Sequence, residues 1–209
     1  MEVHLRPSHL PKAPALPFTL TVLLLAVAVA YLRGGRLARL VHAPLRWSWL
    51  LLVGLALQVV VDVAVGRGLI ADASLPGWSL LFVSQLLVLT WVLRNWHLPG
   101  MLLIGLGLLL NMVVVAANGA MPVDPEAIMA LGGDPAALEP GKHTLLTSES
   151  RLPWLADIWA LPPLRSIISV GDVVLAAGLV PLAHGLLTYR PAEERRRQRA
   201  GGEATSPQE

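Results

Sequence analysis

GMLLIGLGLLLNMVVVAA, residues 100–117, carries one polar side chain, Asn111, and no charge. A helix on the surface of a soluble protein keeps a polar face opposite its apolar stripe. This stretch has no such face, and its length approaches the roughly 20 residues that cross a hydrocarbon core about 30 Å thick. Four other blocks share the pattern: about Pro17 to Leu32, Trp47 to Val65, Trp78 to Leu93 and Ile167 to Leu187. Lipid offers the backbone no hydrogen-bond partners, so each block is expected to be a helix. The expected fold is an all-α integral membrane bundle of five transmembrane helices, multi-pass in the cell membrane. Its parts are an external segment 1–16, a membrane domain 17–188 with one long external loop at 118–165, and a basic, partly disordered cytoplasmic tail 189–209.

Composition agrees with this assignment. The 209 residues are 55% hydrophobic and only 14% charged, with a mean hydropathy of +0.62, a low charge fraction for a soluble domain. Trp47, Trp49, Trp78, Trp91 and Trp96 lie near the ends of apolar blocks, where an interfacial belt places them. There is no cysteine, which excludes disulfides, thiol nucleophiles and thiolate metal sites. Ala28-Val29-Ala30 resembles a signal-peptide cleavage site. Arg33, Arg36 and Arg39 follow at once, however, and positive charge there retains the segment as a helix.

The net charge of +2 hides an asymmetry. With the N-terminus outside and the C-terminus inside, ten of the sixteen basic residues fall on the cytoplasmic side: Arg33, Arg36, Arg39, Arg46, Arg94 and five in the tail from Arg190 to Arg199. Orientation by positive charge explains these clusters better than nucleic-acid binding. The lipid bilayer is the expected partner, with contact between the tail and anionic lipid. The external loop is acidic and rich in Pro and Gly, which predicts turns and at most short helices. Its Leu152–Leu161 stretch is too apolar for an ordinary solvated loop and is expected on the outer interface or folded back onto the bundle.

Within the spans sit polar groups that hydrocarbon solvates poorly. An ionisable side chain at mid-membrane costs on the order of 2.5–3.5 kcal/mol. Gly54, Gln58, Asp62 and Gly66 recur at intervals of four along the second span, one slowly rotating stripe. The third span carries Ser84 and Gln85, the fourth Asn111 and then Asn118, and the fifth Ser169 and Asp172 beside Gly171. Counted from the outer surface, these residues are expected to meet in one recess, roofed by the Asn118–Val123 turn and the Trp154–Trp159 segment. Asp172, Asn111, Asn118, Gln58, Ser169 and Asp157 are the candidate ligand-binding residues. Their structural alternative is interhelical hydrogen bonding, worth on average less than about 1 kcal/mol per pair. His143 and Asp157, fourteen apart in the loop, do not by themselves make a cation site. No HExxH or GxSxG is present, and Gly105-Leu-Gly107 lacks the third glycine of a nucleotide loop, so close helix packing accounts for it. No catalytic residue, metal or cofactor is assigned.

Arg33-Gly34-Gly35-Arg36-Leu37 after the first span, Gln58 in the second, Asn111 followed by Asn118-Gly119-Ala120-Met121-Pro122-Val123, and Ser169-Val170-Gly171-Asp172 opening the last resemble an uncharacterised bacterial polytopic membrane family, domain of unknown function 5317. The resemblance covers roughly residues 18–188. The family pattern usually has a second glycine where this chain has Ala120. The resemblance implies a small polytopic protein without an assigned chemistry.

Three functions compete on these residues. The first is binding of a small molecule or ion at an outward-facing intramembrane polar site, in connection with transport. The second is a scaffold or accessory subunit whose polar stripe packs against a membrane-protein partner. The third is an outer-leaflet lipid-modifying enzyme.

Overall fold

The computed structural model describes residues 18–69, 75–138 and 141–189. The N-terminal segment 1–16 and the basic tail from Arg190 onward lie outside the described residues. Five long helices occupy the apolar blocks: α1 Phe18–Leu32, α2 Ser48–Gly66, α3 Leu75–Arg94, α4 Met101–Asn118 and, last in the chain, α6 Val170–Thr188. Between α4 and α6 the chain builds a small cap. It holds β1 Met121–Val123, the short helix α5 Pro125–Ala130, β2 His143–Leu145, β3 Trp159–Leu161 and β4 Ser166–Ile168.

Two of these helices, α4 and α6, are long and apolar enough to cross a membrane, and protein covers only 28% and 33% of their apolar windows. The buried core helix of a soluble protein would be mostly covered. Here Leu102, Leu106, Val113, Val173 and Val180 face outward. The protein is mostly helical, but the cap is not the run of turns and short helices expected from its Pro and Gly content. β1 pairs with β2 in parallel, Met121 opposite His143, and β3 with β4 antiparallel, Trp159 opposite Ile168. Asp157 joins the first ribbon, donating its N–H to Pro122 O and accepting from Asp124 N, both at 2.9 Å. The last helix starts at Val170 rather than Ile167, because Ile167 and Ile168 are committed to β4 and Ser169 caps the helix.

Glycines set the tightest contact. α4 and α6 pack closely, with Gly100 against Gly178 and Gly107 against Gly171. A Cβ on Gly178 would lie 2.6 Å from Gly100 O and 2.8 Å from Ile104 N. The seven-residue spacing on both helices keeps each pair on one face. α2 meets α3 at Gly54, where a Cβ would lie 3.1 Å from Ser84 O. Leu50, Trp91, Val92, Met101, Ile104 and Leu182 form the core toward the α3–α4 hairpin. Val114, Met121 and Leu155 form a second core beneath the cap.

The hairpin end of the bundle gathers most of the described arginines. The turn after α1 folds onto the end of α6, where Arg36 N donates to Leu187 O at 2.9 Å and the Arg39 guanidinium to the same carbonyl at 3.5 Å. These bonds satisfy a carbonyl that the helix leaves open. Trp47 (φ 55°) enters α2 with its ring 4.8 Å below the Arg94 guanidinium. Asn95, fully buried, clamps the same junction. Its Nδ2 donates to Arg46 O (2.9 Å) and Trp91 O (2.8 Å), and its Oδ1 accepts from Arg46 N (2.8 Å). Asn95→Ala removes all three bonds and is expected to destabilise the fold by about 2 kcal/mol, read from thermal unfolding in detergent.

Candidate functional site

At the cap end, α3 and α4 no longer fill the space between them. A cavity of about 230 Å³ opens there, lined by Gln58 of α2, Leu81, Phe82 and Gln85 of α3, and Asn111, Met112 and Val115 of α4, and roofed by Gly141, Lys142 and His143. Three amides from three helices thus reach one space. Ser84, next to Gln85, turns away, donating to Leu81 O at 2.7 Å.

Asn111 is held from behind. Its Nδ2 donates to Asp172 Oδ1 (2.9 Å), and its Oδ1 lies 3.0 Å from Ser169 Oγ. Ser169 also stands 3.0 Å from Asp172 Oδ2, and its single hydroxyl proton serves one acceptor at a time. Ser169 Oγ accepts from Asp172 N (3.1 Å) while Asp172 Oδ2 accepts from Ser169 N (3.0 Å), a reciprocal cap on the first turn of α6. Asp172 is therefore occupied on both oxygens. Asn111 keeps one donor hydrogen and one acceptor lone pair for a ligand.

The other candidates lie elsewhere. Asn118 ties down the cap, with Oδ1 accepting from Arg151 N (2.7 Å) and Nδ2 donating to Arg151 O (2.8 Å). The Asn118–Val123 turn and the Trp154–Trp159 segment do not roof the amide cavity; Leu155 instead sinks into the core beneath the cap. Asp62 forms an ion pair with Lys142 of the roof. Burial pulls the Lys142 amine below the usual lysine value. Asp157 is buried in the cap, its Oδ1 without a hydrogen-bond partner. Burial first, and the Asp172 charge second, push it up to about 7. Among the described residues no group of three or more His, Asp or Glu could hold a metal ion.

One participant, Lys142, escaped the sequence. The capping role of Asp172 was visible as Ser169-x-x-Asp172 ahead of an apolar run. Lys142 could be suspected only as a lone cation in an acidic loop, and its pairing with Asp62, 80 residues away, has no local signature.

A helical bundle with an amide-lined cavity beneath a folded cap is the class of protein these elements define. The chain belongs to DUF5317, a family of unknown function whose profile matches residues 42–183, from the turn before α2 to near the end of α6. No curated protein and no solved structure matches it.

Proposed function

We propose that this is a five-span membrane protein, N-terminus outside and C-terminus inside, that binds a small molecule in the amide-lined cavity from the cap side. The observation that carries the reading is the convergence of Gln58, Gln85 and Asn111, one from each of three helices, on a single cavity. A bare cation is disfavoured, because both oxygens of Asp172, the nearest carboxylate to Asn111, already have partners. Amides and apolar walls suit a neutral or weakly polar molecule with hydrogen-bonding groups at one end. Supporting five spans, α2 and α3 reach about 28–30 Å at 1.5 Å per residue, and Leu52, Val59, Val60, Val83 and Leu86 point outward from them. The described arginines at the hairpin end support the orientation.

Two experiments test this. Native mass spectrometry of protein extracted in mild detergent is expected to find a co-purified small molecule on the wild type. A folded Gln58→Leu/Gln85→Leu variant should lose it, and no bound mass, or the same mass on the variant, rejects the binding site. Topology is independent of that outcome. The chain has no cysteine, so single reporters need no background removal. Arg67→Cys and Thr147→Cys are expected to react with an impermeant maleimide on intact cells, and His42→Cys and His97→Cys only after permeabilisation. Protection of both Arg67→Cys and Thr147→Cys on intact cells would reject the orientation, and protection of Arg67→Cys with Thr147→Cys reactive would reject five spans.

A further inference from the structure

The cap contains a second cavity, of about 350 Å³, that the amide site does not use. Its walls include Ile128, Leu131, Leu138 and Ile167, and two residues of opposite charge, Asp157 and Arg165, line it as well. The volume is enough to hold a small molecule.

Asp157 and Arg165 do not pair with each other across this space. Arg165 is carried by the turn between β3 and β4, where its N–H closes onto Pro162 O at 3.2 Å. Asp157 is fixed by the β1 ribbon through its backbone, and its Oδ1 is buried with no partner. A buried carboxylate oxygen without a donor is costly unless something supplies one. Asp157 lines the cavity, so an ammonium group there would lie against a carboxylate that lacks a donor on one oxygen, and the Arg165 guanidinium is suited to a carboxylate. The aliphatic walls would cover an apolar side chain branching from the carbon that carries both groups.

We infer that the cap cavity is a binding site for a small aliphatic zwitterion of the α-amino-acid type, its ammonium on Asp157, its carboxylate on Arg165, and its side chain against Ile128, Leu131 and Ile167. The site stands apart from the amide cavity, although His143 of β2 borders both. The ammonium requires Asp157 in its ionised form. The charged or titratable groups around that carboxylate are Asp172 at the start of α6, His143 on β2, Arg165 beside β4 and Asp134 after α5. Since Asp157 sits near 7 in the empty site, affinity rises about tenfold between pH 6 and pH 8 as the ionised fraction grows.

The test uses the purified full-length protein and calorimetric titration with leucine, with 3-methylbutylamine, which lacks the carboxylate, and with 4-methylpentanoate, which lacks the ammonium. Leucine is expected to bind, with each truncated analogue at least tenfold weaker. Asp157→Asn and Arg165→Gln should each weaken leucine at least tenfold, and Asp157→Asn should also flatten the pH dependence. Gln58→Leu/Gln85→Leu should leave leucine affinity unchanged, which separates this site from the amide cavity. Absence of leucine binding to the wild type overturns the inference. So does an analogue that binds as tightly as leucine, or an unchanged affinity in folded Asp157→Asn. Because the analogue series is read on wild-type protein, a variant that failed to fold would not spare the inference.

Discussion

Gly178→Ala is expected to destabilise the protein by about 3 kcal/mol, the upper part of the range for overpacked positions. The new Cβ would lie 2.6 Å from Gly100 O and 2.8 Å from Ile104 N. Those atoms are backbone, so no side-chain rotation can relieve the clash. Gly100 cannot retreat easily either, because it holds φ 83° at the start of α4 and packs against Pro181 of α6. The helices must separate, and that loosens the second glycine contact, where a Cβ on Gly107 would already lie 2.6 Å from Leu175 N. Close approach of this kind drives helix association where apolar surroundings remove the hydrophobic contribution. Ala177→Leu, on the exposed side of the same helix, is the control and should change stability by less than about 0.5 kcal/mol. Thermal unfolding of both variants in one detergent decides the matter; equal midpoints would show that the glycine contacts do not hold α4 to α6.

The second large effect is on pH dependence. Folding raises Asp157 from 3.8 to about 7, so the folded state holds this proton more tightly than the unfolded chain. Between those two values the native protein binds more protons than the unfolded one, and stability falls as pH rises. The contribution is fully present below about pH 4 and gone above about pH 7. A shift of this size corresponds to on the order of 4 kcal/mol. Asp157→Asn keeps the shape and cannot ionise. It is expected to unfold at a higher temperature than the wild type at pH 8, to match it below about pH 4, and to lose most of the slope between. A wild-type slope retained in the variant would assign the titration to another group, with His143 the first to examine.

The helices were legible in the sequence because apolar blocks of this length have few alternatives. The arginines after α1 and at the end of α3 likewise marked one end of the bundle. Gly171 and Gly178 were visible as a seven-residue pair, but their partners Gly100 and Gly107 lie about 70 residues earlier, and helix spacing alone does not say which faces meet. Asn111 and Asp172 stood out as polar groups in apolar company. That their bond is to each other, and that Asp172 also caps α6 with Ser169, depended on where α4 crosses α6. Asn118 looked equivalent to Asn111 in the sequence, yet one full turn beyond Val114 it faces Arg151 of the cap instead of the cavity.

The cap was least legible for a physical reason. Its strands are three residues long, too short for an alternating pattern, and β1 pairs with β2 across some twenty residues that include α5. Such pairing comes from backbone hydrogen bonds that any sequence can make. Hydrophobicity along the chain was therefore enough to set the helices and the residues that hydrocarbon would reject, since each is a local property of side chains in a solvent. Packing between distant segments alone determined which rejected groups found each other, which faced a cavity, and where Asp157 was left with an unpartnered oxygen.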